Sequence, residues 1–118
     1  MIKALTIRTD GTFSAGTIDG KLKSLQTIVG GYIESVGSRD VTIFINEEGK
    51  LEGLPINHLA TVLWWVVCPH MAGQDVLLGD VVVLGPVDAN GDETSVTEDT
   101  LWVLAEVLAA KPEEFEEA

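Results

Sequence analysis

Cys68 is the only cysteine in 118 residues. A lone thiol cannot close an internal disulfide, so nothing in the sequence points to an oxidising compartment. Histidine is almost as scarce, with only His58 and His70. One thiol and two imidazoles fall short of a closed four-ligand zinc site, and their spacing fits no zinc pattern. Long apolar runs are missing too. The longest, Leu59 to Cys68, is broken only by Thr61 and is about half the length a membrane-spanning helix needs. The opening residues, MIKALTIRTDG, contain no signal-peptide apolar core and no cleavage site. A cytoplasmic location is therefore expected. Positive charge is sparse: seven Lys and Arg stand against nineteen Asp and Glu, a formal net charge of −12. Such a field repels phosphate, which disfavours direct DNA or RNA binding; it suits solubility, a basic partner or imitation of nucleic acid, and no membrane partner is expected.

What is present argues for a folded chain. Hydrophobic residues make up 46% and tryptophan occurs three times, enough for a core. The length suits one domain. The acidity is uneven. From residue 88 onward stand ten acids (Asp88, Asp92, Glu93, Glu98, Asp99, Glu106, Glu113, Glu114, Glu116 and Glu117) against one base, Lys111. That segment is formally −9, which leaves −3 for the first 87 residues.

The local patterns predict alternating strands and helices. Ile2 to Arg8 and Phe13 to Ile18 read as a hairpin around Thr9-Asp10-Gly11-Thr12. Asp19 is the expected N-cap of a helix carrying Leu22, Leu25, Ile28 and Val29, with Gly30-Gly31 as its left-handed stop. Tyr32 to Val36 and Val41 to Asn46 read as strands, the latter with Val41, Ile43 and Ile45 on one face. Lys50 to Leu54 is expected as a short strand or a loop. Pro55-Ile56-Asn57 reads as a helix start, the next stretch, His58 to Val67, is apolar almost all round, Pro69 ends it, and His70 to Gln74 is expected as a loop. Asp75 to Leu84 reads as a buried strand with a bulge or turn at Gly79. Ser95 and Glu98 have capping-box spacing before a last helix with Leu101, Leu104, Ala105 and Leu108 on one face, closed by Pro112. The expectation is an α+β domain over residues 1–112, a mixed or antiparallel sheet packed against about three helices. Residues 113–118 are expected to form a frayed acidic tail.

Chemistry-bearing clusters are thin. Cys68-Pro69-His70 invites a Cys–His dyad, yet the thiol ends an apolar helix, where burial raises its pKa. Asp88-Ala89-Asn90-Gly91-Asp92 starts like a calcium loop, but Glu93 stands where that loop needs glycine. Val29-Gly30-Gly31 ends a helix, whereas a dinucleotide fingerprint precedes one. The carboxylate pairs at Glu47-Glu48 and in Glu113 to Glu117 have no apolar neighbours to shift a pKa. No catalytic residue and no metal ligand is assigned. Trp64-Trp65 is more informative. Adjacent helical residues point about 100° apart, so either the helix is covered on two faces or one Trp meets a partner. Trp102 lies off the main apolar face of the last helix, as core or as a second exposed anchor. Asn46, Glu47 and Asn57 either converge as a polar rim beside the Trp helix or cap local turns and helix ends.

Four segments together resemble a known family. They are Leu25-Gln26 with Val29-Gly30-Gly31 and Ile33-Glu34; Asn46-Glu47-Glu48-Gly49-Lys50-Leu51; Leu54-Pro55 with Asn57 and Ala60-Thr61; and Gly79-Asp80-Val81-Val82-Val83 with Gly85. On these the chain resembles domain of unknown function 3846, across about Leu22 to Gly85. The resemblance implies a short protein of bacteriophages or mobile elements and brings no chemistry with it.

The leading expectation is a non-enzymatic bacteriophage accessory protein that needs no cofactor and acts by binding a host protein in the host cytoplasm. Its candidate binding surface is Asn46, Glu47, Glu48, Asn57, Trp64 and Trp65. A second candidate surface is acidic: Asp92, Glu93, Glu98, Asp99 and Glu106. The alternatives are an acidic nucleic-acid mimic of the antirestriction kind and a small-molecule sponge. Self-association into a homo-oligomer fits any of the three.

Overall fold

The computed structural model describes residues 1–110. The expected helix stop at Pro112 and the acidic tail, 113–118, lie outside them. The chain opens as a hairpin of β1 (Ile2–Ile7) and β2 (Phe13–Ile18). Its turn is built by Asp10, whose carboxylate accepts from the Thr12 N–H at 2.9 Å and the Thr12 hydroxyl at 2.6 Å. Those bonds hold the Asp10 carboxyl below its ordinary pKa. A second hairpin joins β3 (Ile33–Gly37) to β4 (Thr42–Asn46). The last strand, β5 (Val81–Leu84), runs between the two hairpins. The order is β2-β1-β5-β4-β3, and every pairing is antiparallel.

Helices cover both faces. On one, α1 (Leu22–Val29) buries Leu25 and Val29 against Ala4, Phe44, Val82 and Leu84. On the other, α3 (His58–Val67) and α4 (Glu98–Ala109) place Leu63, Trp64 and Leu104 over Leu5, Ile7, Ile43, Val81 and Val83. All four residues of β5 are buried, which explains its unbroken Val-Val-Val-Leu run. Each such side chain contributes roughly 1.5–3 kcal/mol on leaving water. The result is the single α+β domain expected from the sequence, with its sheet wholly antiparallel.

Some expectations hold closely. Gly30 caps α1 with φ of 82°, and its N–H bonds to the Gln26 carbonyl. Asn57 is the N-cap of α3, its side chain accepting from the Ala60 N–H at 3.1 Å. Val41, Ile43 and Ile45 share the face under α3.

Others need correction. Asp19 does not cap α1. It lies two residues before the N-cap, Lys21, and its carboxylate accepts from the Lys21 N–H at 2.9 Å. The segment after Asn46 is neither strand nor loop but one helical turn, α2 (Gly49–Glu52). It ends at Gly53 in the left-handed region, φ 67°. Strand β5 begins at Val81 and not at Asp75, because Gly79 turns the chain with φ 79°. The preceding Leu78 makes only an isolated bridge to Ile56. A 3₁₀ turn (Pro69–Met71) follows α3, where a loop was expected. The N-cap of α4 is Thr97, accepting from the Thr100 N–H at 3.2 Å. Ser95 is used elsewhere: its hydroxyl accepts from the Lys3 N–H at 2.9 Å, beside the bond from the Val96 N–H to the Lys3 carbonyl. On α4, Thr100 and Leu104 are the buried positions, while Ala105 and Leu108 are exposed.

Candidate functional site

Two places collect the residues singled out from the sequence. The first is a small cleft of about 200 Å³ beside the second hairpin. Asn46, Glu47, Lys50, Trp64 and Asp75 are among the residues that line it. Asn46 is buried because it works for the backbone. Its Oδ1 accepts from the Glu48 N–H at 2.8 Å and its Nδ2 donates to the Val29 carbonyl at 3.4 Å. Lys50 Nζ lies 3.2 Å from Asp75 Oδ1 across the mouth. The Asp75 carboxyl is held below its usual range, first by the Val76 N–H and then by Lys50. This exposed pair contributes at most about 1 kcal/mol. The cleft is smaller than the roughly 300–1,000 Å³ that small-molecule sites occupy.

The expected polar rim does not assemble. Asn57 has no exposed surface at all. Its Nδ2 donates to the carbonyls of Ile7 and Gly79, each at 2.9 Å, and it is absent from the cleft. Glu48 turns toward a separate shallow depression with Gln26, Tyr32 and Glu52. Both residues of the Trp pair are held by the fold. Trp64 is 5% exposed, and the half-buried Trp65 donates from Nε1 to the Asp75 carbonyl at 2.9 Å. The α3 helix is covered on two sides, as adjacent buried tryptophans require.

The second place is the outer side of α4. Trp102 is 70% exposed. Glu98 and Glu106 stand one turn before and after it in the same row, and both are exposed. No described lysine or arginine lies within ion-pair range of either. Glu98 lines an open depression with Leu101, Trp102 and Ala105. The other acids do not join this row. Asp99 faces a depression toward Asp40 and Val66. Asp92 belongs to the loop after β5 and is exposed. Glu93 is partly buried, and its Oε2 has no hydrogen-bond partner among the described residues. Burial raises the Glu93 pKa. Trp102 had a signal in the sequence, because it stands off the Leu101–Leu104–Leu108 face.

The remaining clusters are structural. Cys68 is buried, and burial raises its thiol pKa, the opposite of an activated nucleophile. The Asp88 carboxylate faces its own loop, accepting from the N–H groups of Asn90 and Asp92 at 2.9 Å each. Among the described residues no three acids, imidazoles or thiols converge on a metal-sized space. No described helix is long and apolar enough to cross a membrane.

No curated protein and no solved structure matches the chain. One family model does, over residues 2–109. It extends the resemblance placed on Leu22 to Gly85 across the N-terminal hairpin and α4. The chain therefore belongs to the family described as domain of unknown function DUF3846.

Proposed function

We propose that this is a non-enzymatic binding protein of bacteriophage or mobile-element origin. It docks a host protein in the host cytoplasm through the outer side of α4. The observation that carries the reading is Trp102, 70% exposed between two exposed carboxylates, Glu98 and Glu106. A large exposed aromatic gains most when a partner desolvates it, and tryptophan is favoured at interface hot spots. The flanking acids select a partner whose apolar pocket is rimmed by Lys or Arg, and they speed encounter at low salt. The buried Trp64, by contrast, offers almost no surface. A small-molecule role has little support: the cleft at Asn46 is about 200 Å³, and the larger hollows, about 400 to 480 Å³, lie open to solvent and enclose no ligand-sized space.

The test is affinity capture from host lysate with three baits: wild type, Trp102→Ala, and the double variant Glu98→Gln/Glu106→Gln. The reading expects a host protein retained by wild type, lost with Trp102→Ala, and bound with weaker salt dependence by the double variant. A partner retained equally by all three baits would sink it.

A further inference from the structure

We infer that two copies of this chain pair edge to edge through β2, joining their five-stranded sheets into one. The inference is independent of the α4 reading. It rests on which backbone groups β2 leaves unpaired and on what that edge lacks.

Backbone direction along β1 is fixed by its other bonds. The Lys3 N–H and C=O bond to the Ser95–Val96 segment, and the Ile7 carbonyl accepts from Asn57, all on the side away from β2. The Arg8 N–H bonds to the Thr12 carbonyl, toward β2. Peptide direction alternates along a strand, so Ala4 and Thr6 face β2. Their register partners Gly16 and Ser14 face back. Phe13, Ala15 and Thr17 therefore present their N–H and C=O groups outward, at the sheet edge. These three residues are evenly spaced about Ala15.

That spacing makes the edge self-complementary. In an antiparallel pairing about a two-fold axis at Ala15, Phe13 opposes the second copy's Thr17, and the two Ala15 residues oppose each other. Every outward donor then meets an outward acceptor. Side chains match as well. Opposed residues share a face, and Phe13 and Ala15 lie opposite Ile7 and Leu5, on the α4 side. Phe13 is 44% exposed there, in an open apolar groove beside Leu101, Ala105 and Leu108. An added strand lies along that groove and covers Phe13.

Three features favour a second copy over another chain. Phe13 to Ile18 carries no charge, no proline and no bulge, the devices that keep lone edges apart. The opposite edge, β3, is shorter and carries Glu34. The antiparallel two-fold also sets Asp10, beyond one end of β2, toward the second copy's segment 19–23, where Lys21 and Lys23 outnumber Asp19, which offsets part of the mutual repulsion of two acidic chains.

Sedimentation velocity and light scattering on the full chain test this, at concentrations up to about 200 µM and in physiological salt. The expected mass is twice 12.6 kDa. Ala15→Pro removes an N–H that points away from β1, so the hairpin persists while the pairing is lost. Thr17→Lys places a charge on the edge and serves if the proline variant does not fold. Both variants are expected at the monomer mass, whereas Trp102→Ala keeps the doubled mass. A wild-type monomer throughout the range overturns the inference. So does a dimer that survives in a folded Thr17→Lys variant.

Discussion

Asn57 holds Ile7 across fifty residues of sequence, its side-chain Nδ2 donating to the Ile7 carbonyl at 2.9 Å with neither residue exposed. The same nitrogen donates to Gly79, and Oδ1 caps α3. One side chain thus ties β1, the turn before β5 and the start of α3. Asn57→Ala removes two hydrogen bonds to buried carbonyls and the cap of a helix N–H, a loss of about 3 kcal/mol or more. Asn57→Asp keeps the cap yet sets a carboxylate against two carbonyls, so it is expected to be no milder. Urea unfolding with an unchanged slope and a lowered midpoint measures both.

Glu93 gives the domain a pH dependence of definite sign. Burial raises its folded-state pKa above the unfolded value. The folded state therefore binds the proton more tightly, and stability falls as pH rises through the folded pKa. Glu93→Gln removes that loss. Its melting temperature is expected above wild type near neutral pH. The difference should vanish below the ordinary carboxylate range, where both states are protonated. Thermal melts across that interval check it.

Cys68 is expected to ignore thiol reagents while the protein is folded. It is buried at the C-cap of α3, and burial raises its pKa. Ellman's reagent at mildly alkaline pH should register almost no free thiol until denaturant is added, then one per chain. Rapid labelling of the folded protein would show that the α3 end opens locally.

The three tryptophans should divide by solvent access. Acrylamide is expected to quench Trp102 readily and Trp64 hardly at all. Trp102→Phe removes the quenchable emission and shifts stability by no more than about 0.5 kcal/mol, as exposed positions do.

Much of the fold was legible because its signals are local. Val41 to Asn46 alternates with period two, Gly30 marks a left-handed stop, and Asn57 precedes an apolar helix. Each reports on neighbours within a turn. Expectation and structure part where distant partners decide. Ser95 has the spacing of a cap, but Lys3 claims its hydroxyl, and Thr97 caps instead. Asp75 to Leu78 is as apolar as a strand, yet the turn at Gly79 and the bridge to Ile56 keep it out of the sheet. The same reason dispersed the expected site. Asn46 and Asn57 are polar residues near turns, which suggests surface. Both are buried, because the sheet and α1 present carbonyls that only a side-chain amide reaches. A sequence shows that such a residue can donate, but not that its acceptor lies fifty residues away.

The placement of β5 between the two hairpins has a kinetic consequence. Each hairpin closes over a handful of residues, whereas β5 must find β1 from more than seventy residues away. Loop-closure entropy makes that step the slow one. A growing chain has no continuous sheet until Leu84 has been made, because nothing earlier joins β1 to β4. Until then β1 and β4 each keep one unpaired edge, flanked by apolar side chains that will become core. The chain is most prone to wrong pairings during its own synthesis, and the four residues of β5 end that exposure by occupying both edges at once.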